Sequence, residues 1–360
     1  MSNLFTTTTF PLNLDKLPST MTSDDKMRAW IHKHKNLPLE RGLVLDQDHP
    51  KPPKALKPTQ ILVRVRAVGI NPADPLFAEM TGLPGTAFIK PTPLPGLDYS
   101  GEVAATGSAV SVLRAGDRVF GRVDTQKSIP GTMAEFTVSE LEGCVAMPPN
   151  VTFEQAAGVG TAAMTAYESI VLNSKAGDAV FINGGTGGVG TYGIQFAKAH
   201  GLRVTVSAST AKVALCAELG ADEVIDYRTQ DLVAALKAKG QVFDLVADFA
   251  YREEAALYRA ANDFIKKGGK YVMVPGQVDG STMRTIAKNS ACPSMLGGGK
   301  AKFEAYFAKS NRAGFEQIAE WMANGQVRTV VDSVFTFEDM PKAVARVKSG
   351  SSTGKVIVTV

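Results

Sequence analysis

From residue 178 onward, short apolar runs alternate with stretches whose apolar residues recur at helical spacing. The pattern predicts strands at 179–183, 203–207, 223–226, 243–248 and 270–274. It predicts helices at 190–200, 210–219, 230–239 and 252–266 between them. Such alternation specifies a parallel, doubly wound sheet. The first half of the chain reads differently. Gln60–Val68, QILVRVRAV, alternates apolar and basic residues, as a half-buried strand does, with Arg64 and Arg66 on the wet face. Several short strands follow, with turns at Thr106-Gly107 and Ala115-Gly116-Asp117. Short strands and turn signals over 27–148 predict a compact antiparallel or barrel-like domain. Met27–Lys33 reads as a strand whose His32 faces solvent, and the Pro-rich 46–59 as a loop. Helices are predicted at 152–159, 161–171, 303–324 and 337–348. The last residues, KVIVTV, form a terminal strand that rejoins the first domain, and residues 1–26 are a polar extension.

One loop carries a chemical signal. Gly184–Gly190 holds five glycines in seven positions, between a predicted strand and a predicted helix. The spacing G-x-G-x-x-G falls on Gly185, Gly187 and Gly190, with Thr186, Gly188 and Val189 completing the turn. Strand, glycine-rich turn and helix together make the unit that binds a dinucleotide. The free N–H groups and partial positive charge of the helix N-terminus receive the phosphates. A site for NAD carries Asp or Glu at the end of the second strand, on the ribose 2′-OH. That position is Ser207 here, and no carboxylate lies between Gly190 and Glu218. Ser207, Ser209, Lys212 and Tyr227 are therefore expected around a 2′-phosphate, which makes NADP(H) the expected cofactor.

Composition narrows the remaining classes. The 360 residues are 44% hydrophobic and 21% charged, with a net charge of +4. That balance suits a soluble globular protein of two domains and gives no argument for nucleic acid. No apolar run reaches the length of a membrane span. The N-terminus lacks the basic and apolar regions of a secretory signal. Cys144, Cys216 and Cys292 are far apart, which suits a reducing compartment and argues against a zinc knuckle. A cytoplasmic protein is expected.

The motifs GINPAD (69–74), PGLDYSGEV (95–103), GDRV (116–119), GTAAMTAYESI (160–170), GGTGGVG (184–190), LGADEVIDY (219–227), GGKYVMVPG (268–276) and STGKVIV (352–358) occur in this order. In that order they resemble the medium-chain dehydrogenase/reductase superfamily, on its quinone-oxidoreductase and enoyl-reductase branch. The resemblance implies an α/β fold: a Rossmann doubly wound parallel sheet plus a GroES-like, mostly β barrel-like catalytic domain. The expected bounds are 27–148, completed by 325–360, for the GroES-like domain and 149–324 for the NADP-binding domain. Zinc-dependent relatives carry a Cys where this chain has Asn71, and a His–Glu pair where it has Leu97-Asp98. The implied activity is zinc-independent, NADPH-dependent hydride transfer to an activated C=C bond of a quinone or α,β-unsaturated carbonyl. Two alternatives stay open: an enoyl reductase working in trans with a biosynthetic synthase, and a non-catalytic NADPH-binding sensor or interaction protein. The resemblance places Asn71 and Thr165 near the nicotinamide, and Phe249, Gly276 and Lys355 on the cofactor. Tyr99 and Tyr167 remain as candidate proton donors, because the stretch that carries a Tyr in several relatives reads Pro75-Leu76-Phe77. No metal, nucleic acid or membrane partner is expected, and the chain is expected to be a monomer or a homodimer. Met80, Phe88, Met273 and Met295 are candidate apolar pocket residues, and 293–300 a candidate lid.

Overall fold

The computed structural model describes residues 25–53, 55–79, 93–124, 130–250, 256–275, 280–291 and 301–360. Seven strands precede residue 147: β1 (Lys26–His32), β2 (Leu43–Pro50), β3 (Gln60–Ile70), β4 (Asp98–Thr106), β5 (Arg118–Arg122), β6 (Phe136–Glu140) and β7 (Cys144–Ala146). Six more form the second half's sheet: β8 (Ala179–Asn183), β9 (Arg203–Ala208), β10 (Glu223–Asp226), β11 (Phe243–Asp248), β12 (Ile265–Met273) and β13 (Lys302–Ala305). The chain closes with β14 (Val331–Thr336) and β15 (Lys355–Thr359). The α-helices are α1 (Leu39–Gly42), α2 (Ala73–Glu79), α3 (Phe153–Ala157), α4 (Gly160–Ile170), α5 (Gly188–Ala199), α6 (Val213–Glu218), α7 (Leu232–Ala238), α8 (Ala256–Ala260), α9 (Gly280–Ala291), α10 (Arg312–Ala323) and α11 (Met340–Lys348).

The six-stranded sheet is parallel throughout and runs β10-β9-β8-β11-β12-β13. Its order reverses between β8 and β11. The crevice outside the carboxyl ends of those two strands is where such sheets take a ligand. β8 is buried at every position, as a central parallel strand must be. The seven-stranded sheet runs β14-β15-β3-β4-β5-β7, with β6 also paired to β3. Its inner face carries Val63, Val65, Val103 and Val119, packed under α11 through Met340, Val344 and Val347.

The terminal strand does return to the first domain. β15 pairs antiparallel with β3, Val356 opposite Ile70. This register delivers Lys355 to Asn71, although 284 residues separate them in sequence. α4 begins at the seam between the two sheets, where Thr161 meets β4.

Four local expectations change. The Pro-rich 46–59 is not all loop, since β2 runs to Pro50 by pairing with β1. Phe303 belongs to β13, and the helix expected from there starts only at Arg312, capped by the Asn311 side chain. The helix expected to reach 266 ends at Ala260, and Ile265 already lies in β12. His32 does not face solvent; it is 2% exposed, with Nε2 3.1 Å from the Leu37 carbonyl. In each case sheet pairing or packing overrode a local pattern. The candidate lid 293–300, with Met80, Phe88 and Met295, lies outside the described residues.

Candidate active site

Where the two sheets meet, four polar residues from distant segments close on one another. Lys355 Nζ donates to Asn71 Oδ1 at 2.5 Å and to the Ile70 carbonyl at 3.3 Å, and lies 3.5 Å from Asp98 Oδ2. Asn71 Nδ2 donates to Asp98 Oδ2 at 2.8 Å and to the Gly69 carbonyl at 3.2 Å. The other carboxylate oxygen, Asp98 Oδ1, accepts the Thr161 amide at 2.7 Å and its hydroxyl at 2.6 Å. Asp98 is fully buried and Lys355 is 3% exposed, so the ion pair is shielded from solvent. Gly160 makes room for it: a Cβ there would stand 2.4 Å from Asp98 Oδ1. The carboxylate thus caps the first turn of α4, where the helix dipole favours a negative charge. Asp74 lies alongside, its Oδ2 accepting the Asn71 amide at 2.7 Å and its Oδ1 buried without a partner. Burial pushes the Asp74 carboxyl up to about 7, against the lowering effect of the Asn71 amide.

The glycine loop abuts this cluster. Gly354 N donates to the Thr186 carbonyl at 3.0 Å, and the Lys355 side chain passes beside Gly188. The loop's glycines differ in what they require. A Cβ on Gly185 would strike Val206, and one on Gly190 would stand 2.1 Å from the Gly184 carbonyl. Both are imposed by the fold. A Cβ on Gly187 would meet nothing nearer than 3.7 Å. Space is thus left over Gly187, immediately before the N-terminus of α5, where a pyrophosphate would approach the backbone. The loop therefore fits a dinucleotide.

The residues expected around a 2′-phosphate lie at the carboxyl ends of β9 and β10. Ser209 and Lys212 are half-buried, and Lys212 N donates to the Ser209 carbonyl. Tyr227 is 38% exposed, and its amide, donating to the Ala208 carbonyl, holds it beside them. Two residues missed in the sequence also lie here. The Arg228 guanidinium sits 5.6 Å from the Tyr227 ring centroid. Asp226 is opposite Ala208 in register, and a hydrogen bond from Thr210 holds its carboxyl below the usual range. The signal for both was the strand pairing of β10 with β9, which spacing within one βαβ unit does not reveal.

Most of the chain has known counterparts. Residues 57–149 match the family described as alcohol dehydrogenase GroES-like domain, and residues 219–358 the family described as zinc-binding dehydrogenase. The trans-enoyl reductase pgmF of Aspergillus terreus is 41% identical over 94% of this chain and 98% of its own. The NADPH-dependent alkenal/one oxidoreductase of Arabidopsis thaliana, a chloroplast protein, is 30% identical over 92% and 79%. A solved quinone oxidoreductase from Coxiella burnetii superposes with a TM-score of 0.78 at 26% identity, covering 93% and 99%. The chain belongs to the medium-chain dehydrogenase/reductase superfamily. This medium-chain dehydrogenase/reductase is an oxidoreductase of the class that uses a nicotinamide dinucleotide.

One family match is named for zinc, so the donor set matters. Catalytic zinc takes three ligands from Cys, His and carboxylates, with an open position for substrate. Here Asn71 and Leu97 stand where Cys and His would be. Asp98 has both oxygens committed, and the Lys355 ammonium occupies its flank. These residues do not fit a zinc ion.

The structure redistributes the expected roles. Asn71 is at the site, but its amide hydrogens are both donated within the cluster, so it holds other groups in place. Thr165 is 3% exposed and returns its hydroxyl to the Thr161 carbonyl, inside its own helix. Tyr99 is not at the site. Strand alternation turns Asp98 toward α4 and Tyr99 into the core of the seven-stranded sheet, where it is fully buried. Burial raises its phenol well above the usual range, which further unsuits it as a proton donor. Tyr167 packs on Phe196 and Trp321. Ser207 does not face a 2′-phosphate: its hydroxyl accepts the Gly184 amide and donates to Asn183 Oδ1, at 1% exposure. Asn183 in turn donates to Asp248, which also accepts the Tyr271 hydroxyl. Ser207 is a strut of the glycine loop. Val189, half-buried in the first turn of α5, packs against the core, and Phe249 follows β11 with its ring against α5 at Gly193. Met273 is a core residue. Gly276 lies outside the described residues.

Among the described residues, no helix is long and apolar enough to cross a membrane.

Proposed function

We propose that this protein reduces a C=C bond conjugated to a carbonyl, with NADPH as hydride donor and without a metal. The observation that carries the reading is the donor set at Asn71, Leu97, Asp98 and Lys355. Without a Lewis acid to hold an alkoxide, alcohol oxidation is disfavoured, and these residues offer none. Reduction of an enone needs no metal, because the anion left by hydride addition is delocalised onto the carbonyl oxygen. The bound nicotinamide would supply the hydride. The chain's own residues hold the glycine loop against the Asn71 segment, orient the cofactor and keep water from the reacting carbons. No side chain of the cluster is a free acid facing outward, so solvent is the source of the final proton in this reading.

The preference for NADPH rests on Ser209, Lys212, Tyr227 and Arg228 at the rim, with Ser207 in a supporting role only. The relatives favour an enoyl or alkenal acceptor over a quinone. The 41% identity to a trans-enoyl reductase, at nearly full length in both chains, favours an enoyl group as the natural substrate.

The test is NADPH oxidation at 340 nm with simple enones, quinones and enoyl thioesters, NADH being run beside it. Turnover on enones or enoyl thioesters with NADPH, and much slower turnover with NADH, is the expected result. Turnover of saturated alcohols that depends on added zinc would overturn the reading.

A further inference from the structure

Asp98 belongs to no part of the reaction as described so far, yet more of the site converges on it than on any other side chain of the cluster. Four donors reach its two oxygens: the Thr161 amide, the Thr161 hydroxyl, Asn71 Nδ2 and Lys355 Nζ. They come from α4, from the end of β3 and from the start of β15. The same β15 residue lies against Gly188, and its neighbour Gly354 is bonded to Thr186. A path therefore runs from the GroES-like sheet, through Asp98 and Lys355, to the loop that fits the pyrophosphate, joined there by the Gly354 hydrogen bond to Thr186.

The polarity of that path allows one arrangement. Asn71 must present its oxygen to Lys355 and its NH2 to Asp98, because an ammonium only donates and a carboxylate only accepts. Fixing the amide this way fixes Lys355, and Lys355 fixes the spacing between β15 and the first turn of α5. We propose that Asp98 is a positioning residue for the cofactor: its carboxylate sets the Asn71–Lys355 pair that holds the glycine loop in register with the substrate cleft. This rests on the dinucleotide reading of the loop, and not on the identity of the acceptor.

The test exchanges the two polar partners. In Asp98→Asn the new NH2 faces the Asn71 NH2 and the Lys355 ammonium, so donors confront donors. Adding Asn71→Asp restores the pattern between positions 71, 98 and 355 in reverse, and gives up only the 3.2 Å bond that Asn71 Nδ2 makes to the Gly69 carbonyl. The carboxylate now at position 71 accepts from Lys355 and from the amide at position 98, whose oxygen still accepts from Thr161. Net charge and shape are those of the parent.

Binding of NADPH and NADH is measured without substrate, by nicotinamide fluorescence, with Tm recorded for each variant. Asp98→Asn should weaken both cofactors by about tenfold or more, leaving the NADPH-to-NADH ratio unchanged. The exchanged variant should recover both affinities to within about threefold of the parent. Where Asp98→Asn does not fold, Thr161→Val, which removes one donor and keeps its amide, should weaken both cofactors by a smaller factor. An Asp98→Asn variant that binds both cofactors within twofold of the parent, or a Thr161→Val variant that matches the parent where Asp98→Asn does not fold, would overturn the proposal. So would an exchanged variant that regains its Tm but not its affinity, since the cluster would then serve the fold alone. A chain that binds neither cofactor before mutation would instead overturn the dinucleotide reading.

Discussion

The two ends of the dinucleotide track are built on opposite physical terms. At the inner end, Asn71, Asp98 and Lys355 are 3% exposed or less, and almost every donor is matched to an acceptor inside the protein. At the outer end, Tyr227 and Arg228 are exposed and Lys212 is half-buried. A buried ion pair is held by geometry, and removing one partner leaves the other charge stranded. An exposed cation costs the fold little to lose, but it can choose between ligands that differ by one phosphate. The inner end should therefore govern stability and the binding of any nicotinamide dinucleotide. The outer end should govern which one is preferred.

The sharpest break of this comparison is Lys355→Met. It leaves the Asp98 carboxylate without its cation, and a loss of about 3–5 kcal/mol is expected for breaking a buried pair. A urea titration showing a loss under about 1 kcal/mol would mean that the pair behaves as a surface pair.

Asp74 tests the same region through pH. Its folded carboxyl holds a proton up to about 7, above the value of an exposed carboxylate, because burial penalises the charged form. The folded state then binds more protons than the unfolded state between those values. Asp74 thus contributes stability at acid pH that is lost as pH rises through about 7. The slope for one such group is at most about 1.4 kcal/mol per pH unit. Asp74→Asn should remove it, matching the parent near pH 4 and exceeding it in stability at pH 8. A variant whose stability tracks the parent at every pH would show that the carboxyl has no shifted ionisation.

Gly187→Ala separates the loop's ligand from its fold. Its φ of −74° suits any residue, and the protein leaves space for a methyl group. Stability should change by no more than about 0.5 kcal/mol, while both cofactors lose about tenfold or more in affinity. Gly190→Ala, which drives a Cβ onto the Gly184 carbonyl, should instead destabilise the chain.

The smallest effects sharpen the outer end. Lys212→Ala should weaken NADPH by about tenfold, the effect of one charge-assisted contact, and leave NADH within about twofold. Ser207→Ala should weaken both cofactors alike, because its hydroxyl braces the glycine loop. Isothermal titration with both dinucleotides distinguishes the two patterns. A Ser207→Ala variant that lost NADPH alone would return that hydroxyl to the 2′-phosphate.

The strands and the glycine loop were legible because local physics sets them. The apolar run AVFI, ended by Asn183 and a glycine-rich turn, suits a strand buried on both faces. Gly185 and Gly190 are demanded by contacts within a few residues of the turn or just across it, at Val206 and Gly184. The two departures at Asn71 and Leu97-Asp98 were also legible, since they are changes of donor chemistry. What those residues do was not. Asn71 and Asp98 are 27 residues apart, and Lys355 is 257 from Asp98. Nothing in a local pattern says that they share one carboxylate. Tyr99 stood out as a phenol in a motif, yet a period of two sends adjacent side chains to opposite faces, and pairing with β3 and β5 decided which face Asp98 received. Ser207 likewise looked like a free hydroxyl until β8 and β9 came together and Asn183 claimed it. Sequence alone determined most of the elements and the glycine loop of a dinucleotide site, because propensity, periodicity and backbone sterics act over short range. The tertiary structure decided which polar groups are spent inside the protein and which remain for a ligand, because hydrogen-bond satisfaction is settled only when distant segments meet.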